Sequence, residues 1–435
     1  LEKLFSPIKR NVSRPRFQVG TVITLICLLY FITLRTVPFH PDEATYLYMS
    51  DDFTTMLSDP LSLSYQPGET IDLRTHYRLM DPPMTRLFLG LARTIISAPS
   101  IQTDWDWTAT WQENLSAGNL PDQRAIFIGR FALLLLLPFV CFFIYRTANS
   151  LMSHWPAIFT TILFAINPLI ILHFRRNMAE ALLLIFCTWF LMLLTDRKTH
   201  KFLLPLIFAL ALNSKQTAIF LLPMYISYLI WCLLQSPKKE WLLYIASYTI
   251  IPILITFLVN PVAWSQPAAA IRASIAERSA LIQGNEYFLQ QNQPGAAQQN
   301  IAERMLAVIY HTAYEPLALD DFANYREAQQ TSFTLYKENL FQNHSRNLIL
   351  GTFYVIIVLS AILMQWIWFW KQRKVQSADL LPWIFIQIGF FSSLIGLSIL
   401  SSIYQRYVVI LIPFTSLLII WLINSMISSL KKQPT

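Results

Sequence analysis

Charge is what this sequence has least of: Asp, Glu, Lys and Arg make up 13% of its 435 residues, against about 25% in soluble domains. So few charges cannot cover a water-exposed body of this size. Together with 54% hydrophobic residues, this excludes a cytosolic enzyme, a secreted disulfide scaffold and a disordered tail. Glycine is scarce at 10 residues, and no G-x-G-x-x-G, Walker A, C-x-x-C or H-E-x-x-H pattern occurs, which argues against soluble nucleotide chemistry. The four cysteines, Cys27, Cys141, Cys187 and Cys232, fall inside apolar runs and supply no disulfide frame. The seven histidines show no metal-ligand spacing.

What the sequence has instead is apolar runs, and a membrane helix needs roughly 20 such residues. Ten windows qualify as candidates: Gln18 to Thr36, Ile126 to Tyr145, Pro156 to Phe174, Met178 to Thr195, Phe202 to Leu212, Ala218 to Leu234, Leu242 to Asn260, Leu348 to Trp370, Leu380 to Leu400 and Val408 to Ile427. The fifth is short and contains Pro205. The expected fold is an all-α polytopic membrane protein of about ten transmembrane helices. The first run follows Lys3, Lys9, Arg10, Arg14 and Arg16 and lacks a small-x-small cleavage site after it, so it reads as an uncleaved anchor.

Loop charges give the orientation. Sixteen Lys and Arg, from Lys3 to Lys432, fall in short segments on the N-terminal side of the membrane, against four (Arg175, Arg176, Lys215 and Arg406) in short loops of the other side. That asymmetry puts both termini in the cytoplasm. Of the acids, only Glu2, Asp196, Glu240 and Asp379 lie inside. The formal charge of +8 is therefore topological, and no nucleic-acid partner is implied. The expected organisation is a basic N-terminus (1–17), a transmembrane module (18–262) that includes an outer segment (37–125), a second outer segment (263–347), a three-helix part (348–427) and a cytoplasmic tail (428–435).

The two outer segments hold most of the polar chemistry. In the first, Met84, Leu87, Phe88, Leu91 and Ile95 recur at helical spacing, while Arg86 and Arg93 share another face; Pro82 and Pro83 would start this helix, lying in the membrane interface. In the second, Ile301, Met305, Leu306 and Ile309 repeat the pattern. Directly after the first span comes FHPDEATYLYMSDDF, with adjacent carboxylates Asp42 and Glu43 behind Pro41. Helix capping explains such a pair as readily as catalysis does. Its place shifts the balance toward chemistry, because a lipid-borne substrate would arrive at the outer ends of the spans. YRLMDPPMTRLFLG carries Arg86, FRRNMAEALLLIF carries Arg175, Arg176 and Glu180, LNSKQTAIF carries Lys215, and IYQRYVVILIPF carries Arg406 and Tyr407. Each cation alone is an ordinary loop or snorkelling charge. Together they form a cationic rim suited to a phosphate leaving group.

In order, P-D-E-x-x-Y, a P-P segment, R-x-x-M-x-E, a Lys-bearing turn, N-P-x-x-W (260–264) and R-Y before a Pro-containing last span resemble the GT-C superfamily of polytopic glycosyltransferases. The resemblance spans about residues 20 to 420 and points to the branch of protein O-mannosyltransferases and lipid A aminoarabinose transferases, including family 39-like members. Many members carry H-P-P-x-x-K where this chain has DPPMTR, so Asp81 stands for the His and Arg86 near the usual Lys. Only KKQPT follows the last span, so the sugar-binding domain of eukaryotic protein mannosyltransferases is not expected.

The resemblance implies a polyprenyl-phosphate sugar donor, a lipid, glycan or protein acceptor, and an inverting displacement on the outer face of the cell membrane. Asp42 would be the general base, worth roughly 10²–10⁴ in rate, and a helix N-terminus would keep it ionised. Glu43 would orient the acceptor or a catalytic side chain. The leaving phosphate would be held by some of Arg86, Arg175, Arg176, Lys215 and Arg406, with Glu180 and Tyr407 in the same substrate site and the prenyl tail between spans. No cofactor is obligatory. Three alternatives stand beside this reading: a multi-span transporter or lipid flippase, a non-catalytic assembly partner, and a metal-dependent transferase in which Asp42, Asp51, Asp52 or Glu180 hold Mg²⁺ or Mn²⁺.

Overall fold

Within a bilayer the backbone has only itself to hydrogen-bond, and all secondary structure among the described residues is helical. The computed structural model describes residues 14–196, 198–292, 300–320, 325–339, 346–372, 380–400 and 403–430. Glu2, Lys3, Lys9, Arg10, Arg197, Arg373, Lys374, Asp379, Lys431 and Lys432, which enter the loop-charge argument, lie outside the described residues.

Helix α1 (Arg14–Ile32) is followed, in the segment expected to lie outside, by five short helices: α2 (Pro41–Met49), α3 (Asp52–Ser58), α4 (Leu73–Met80), α5 (Met84–Ile95) and α6 (Trp111–Ser116). The central bundle comprises α7 (Gln123–Leu134), α8 (Leu137–Leu151), α9 (His154–Ala165), α10 (Pro168–His173), α11 (Glu180–Thr195), α12 (Leu203–Leu212), α13 (Leu222–Gln235) and α14 (Trp241–Val259). A second outer group, α15 (Pro267–Asn292), α16 (Ile301–Ala313) and α17 (Gln330–Glu338), precedes α18 (Leu348–Gln372), α19 (Leu380–Ile399) and α20 (Ile412–Leu430).

Each of the ten apolar windows falls on helix. Among the described residues, seven stretches are long and apolar enough to cross a membrane: Pro15–Ile32, Gln123–Leu151, Gln216–Gln235, Lys238–Val259, Leu348–Lys371, Leu380–Ile399 and Gln405–Leu430. The other three windows yield shorter apolar helices, His154–Ala165, Glu180–Thr195 and Leu203–Leu212. One interruption has a clear cause: Pro168 cannot continue the α9 ladder, and the Asn167 side chain instead accepts the Leu169 N–H at 3.0 Å to start α10. The protein is an integral membrane protein, with α11 almost wholly buried at its centre against α8 and α12.

The outer helices differ from expectation in which face they bury. Helix α5 starts at Met84 behind Pro83, as the sequence implies, but its arginine face points inward: Arg86 and Arg93 are buried, while Leu91 and Ile95 are exposed. The reason is the pair Asp51–Asp52 at the start of α3, which supplies a carboxylate to each arginine. Gly90 permits this approach, because a Cβ there would strike the Ser50 carbonyl and the Phe53 side chain. Gly90→Val is expected to destabilise the fold by about 1–3 kcal/mol, as overpacking does, read as a lower unfolding midpoint in detergent.

The N-P-x-x-W motif clasps the first outer segment to the bundle. Asn260 donates to Asn213 Oδ1 at 2.7 Å, the Trp264 indole donates to Phe257 O at 2.7 Å, and the Pro261 and Val262 carbonyls accept from the Ser64 hydroxyl and the Tyr65 N–H at 3.0 Å each.

Candidate functional site

The site begins with how α2 is capped. His40 is the N-cap: its Nδ1 accepts the Asp42 N–H at 3.1 Å, and Glu43 closes the capping box by accepting the His40 N–H at 3.2 Å. The capping role therefore falls to Glu43, and the Asp42 carboxylate is left to serve elsewhere. Consecutive helical residues point about 100° apart, so the two acids part company at once.

Glu43 turns into the protein. It is fully buried, accepts from Arg130 Nε at 2.8 Å and Nη2 at 2.5 Å, and takes the Asn177 N–H at 3.0 Å. Burial alone would raise its carboxyl, but the Arg130 guanidinium and these bonds outweigh it and hold the group below the usual carboxylate range. Arg130 also binds the Val37 and Pro38 carbonyls, which fixes the chain between the first span and α2.

Asp42 turns toward the other end of the chain and pairs with Arg406. The 3₁₀ run Gln405–Leu411 carries Arg406 and Tyr407 at the head of α20, and a second, Gln216–Leu221, follows Lys215 at the head of α13. Runs of this length are uncommon, and here they deliver both cations to one place. Lys215 pairs with Glu180 and lies 4.8 Å from the Tyr407 ring centroid, and the Arg406 guanidinium is 5.8 Å from the same ring. Asp42, Glu180, Lys215, Arg406 and Tyr407 thus come together from four distant segments.

The remaining cations expected at the rim are committed to the fold. Arg86 pairs with Asp52 at 3.1 Å and donates to the Asp81 carbonyl at 2.9 Å. Arg175 is buried, donating to Ile171 O and Thr33 O at 2.7 Å each and to the Tyr336 hydroxyl at 3.0 Å. Arg176 is buried and donates to Leu319 O at 2.7 Å. Consecutive like charges in a short turn read as a rim from sequence; burial and carbonyl partners make these two staples between segments. Asp51 and Asp52 likewise have arginine partners, Arg93 at 2.9 Å and Arg78 at 2.7 Å. Among the described residues no three His, Cys, Asp or Glu side chains are grouped to hold a metal ion.

Sequence reasoning passed over several neighbours. Tyr46, one turn beyond Asp42 and the last residue of P-D-E-x-x-Y, lies in the field of Asp81, Glu180 and Asp42, and burial pushes its hydroxyl well up, so it remains a donor. Burial also raises the Asp81 carboxyl, against the opposing charges of Arg278 and Arg86. Arg278, on α15, additionally donates to Gln216. The spacing of P-D-E-x-x-Y already places Asp42 and Tyr46 on one helical face, and DPPMTR marks Asp81; nothing local announces Arg278.

Asp104 joins α2 from the first outer segment, accepting from the Thr45 hydroxyl at 2.9 Å and the Tyr77 hydroxyl at 2.7 Å, and burial pushes its carboxyl up to about 6. A raised carboxyl favours the protonated fold: the gain is full below the ordinary value of about 4 and is lost as pH rises through about 6. Asp104→Asn, which keeps an acceptor oxygen, is expected to flatten the fall in unfolding midpoint between roughly pH 4 and 7.

With this geometry in place, the chain can be set beside known proteins. Residues 120–260 match the family model described as dolichyl-phosphate-mannose-protein mannosyltransferase, a stretch that contains Arg175, Arg176, Glu180 and Lys215. No curated protein matches the chain significantly in sequence. The oligosaccharyltransferase of Archaeoglobus fulgidus, solved in complex with Zn and sulfate, is 14% identical with a TM-score of 0.50, over 94% of this chain and 49% of its own. The oligosaccharyltransferase AglB from Archaeoglobus fulgidus, solved with an inhibitory peptide and a dolichol-phosphate, is 13% identical over 96% and 51% of the two chains, with a TM-score of 0.47. ArnT from Cupriavidus metallidurans, bound to undecaprenyl phosphate, is 11% identical over 95% and 63%, with a TM-score of 0.45. The chain spans about half the length of the archaeal structures it resembles. The likeness at a TM-score of 0.50 shows the fold, the GT-C type that the order of motifs implied.

Proposed function

We propose that this protein transfers a monosaccharide from a polyprenyl-phosphate donor to an acceptor hydroxyl on the extracytoplasmic face of the cell membrane, with both termini cytoplasmic. The observation that carries the proposal is the meeting of Asp42 with Arg406, Lys215 and Glu180 at the ends of apolar helices. The description of the matched family model, which names a dolichyl-phosphate sugar, supports the donor class.

In the proposed reaction Asp42 takes the proton of the acceptor hydroxyl as that oxygen bonds to the anomeric carbon. The bond from that carbon to the phosphate oxygen breaks, and its electron pair leaves with the polyprenyl phosphate. One displacement inverts the anomeric centre. Arg406 and Lys215 offset the negative charge of the departing phosphate. The same charge competes with Asp42 for Arg406, so donor binding loosens the ion pair that masks the base. Glu43 acts as a positioning residue through α2.

The tail needs an apolar groove, and a cavity of about 1080 Å³ between the Gln216–Gln235 stretch, α18 and α19 supplies one. Its lining includes Ile219 and Phe220, four and five residues past Lys215, and Ile399, at the end of α19. The reaction so written uses no obligatory metal, and activity is expected to survive EDTA. The test is transfer from dolichyl-phosphate mannose by purified protein to a panel of lipid, glycan and peptide acceptors. Product in one arm establishes the reaction and the acceptor class, whereas an unconsumed donor in every arm contradicts the proposal.

A further inference from the structure

His173 ends α10, and the turn after it leads straight to Glu180. The ring is 2% exposed, and neither Nδ1 nor Nε2 has a hydrogen-bond partner among the described residues. Glu180 is 1% exposed; one carboxylate oxygen takes Lys215, and Oε2 is buried without a partner. Helix α10, which His173 ends, and α11, which Glu180 starts, both pack against the Gln405–Leu411 run that carries Arg406, and Glu180 pairs with Lys215, so the ring lies beside the proposed phosphate site. A neutral imidazole offers one donor and one acceptor, a carboxylate only acceptors. Buried groups of this kind are almost always satisfied in folded proteins. Three buried atoms without partners, on the residue that ends α10 and the residue that starts α11, therefore point to a polar notch that a further group enters.

The surrounding charges select that group. A phosphate oxygen would be opposed by the Glu180 carboxylate, and an ammonium by Arg176, Lys215 and Arg406. A hydroxyl suits both walls, donating to Glu180 Oε2 while accepting from the imidazole N–H. We propose that His173 and Glu180 form a hydroxyl-binding notch at the floor of the site, which takes one hydroxyl of the sugar carried by the donor lipid. The proposal rests on the donor reading above. A buried water satisfies the same chemistry, and the experiment separates the two.

The full chain is purified in detergent as wild type, His173→Ala and His173→Gln, and the affinity of each for dolichyl phosphate and for dolichyl-phosphate mannose is measured. The wild type is expected to bind the mannose-bearing lipid more tightly than the bare one. His173→Ala should weaken binding of the sugar lipid about tenfold, the worth of one hydrogen bond, and leave bare dolichyl phosphate unchanged. His173→Gln, whose amide keeps a donor and an acceptor, should recover most of the loss. Equal loss for both lipids, no loss for either, or a wild type that does not distinguish them would assign the notch to water and overturn the proposal. A wild type that binds neither lipid overturns the donor reading itself, and the notch with it.

Discussion

Replacing Asp42 by Asn is expected to cut sugar transfer by roughly 10²–10⁴-fold while donor affinity stays at or above that of the wild type. The amide keeps the shape of the carboxylate and its place on α2, because the cap is made by His40 and Glu43 rather than by Asp42. What it removes is the base and the negative charge that pairs with Arg406. An arginine no longer opposed by Asp42 has more of its field available to a phosphate. Initial rates and donor Kd, measured on the same preparation, check both halves. Donor affinity falling in step with the rate would make Asp42 a binding group and remove it as the base.

The second large effect concerns stability. Arg130→Met leaves the Glu43 carboxylate buried without its partner, and breaking a buried pair in this way costs about 3–5 kcal/mol. The same change releases the Val37 and Pro38 carbonyls, so the chain entering α2 loses its anchor. A marked fall in the unfolding midpoint is expected, with a loss of transfer that follows from the displaced α2. The double variant Arg130→Met, Glu43→Gln should recover much of the stability, since no charge is then stranded. A double variant no better than the single one would contradict the ion-pair account.

These two residues also show what the sequence could and could not disclose. Apolar length made the helices legible, and loop charge gave an expected orientation that rests on residues partly outside the described ones. The order of short motifs along the chain made the fold type legible. Pairing was not. Asp42 and Glu43 are neighbours with the same chemistry, yet helical geometry sends one to Arg406 and the other to Arg130. Arg175 and Arg176 look like a cationic rim until Thr33 and Tyr336 arrive from elsewhere in the chain to accept from Arg175, and Leu319 to accept from Arg176. Such assignments depend on contacts between segments far apart in sequence, and no local pattern encodes them. The inward turn of Arg86 and Arg93 on α5 has the same origin, because amphipathic spacing marks two faces but does not say which of them meets Asp51 and Asp52.

The central claim is that a polyprenyl-phosphate sugar binds beside Asp42 and that Asp42 acts after binding. Mass spectrometry of lipids that co-purify in mild detergent with the wild type and with Asp42→Asn tests it most directly. The account predicts a polyprenyl-phosphate sugar enriched in the variant, where the donor binds but is not consumed. Bulk phospholipid alone in both preparations would contradict it.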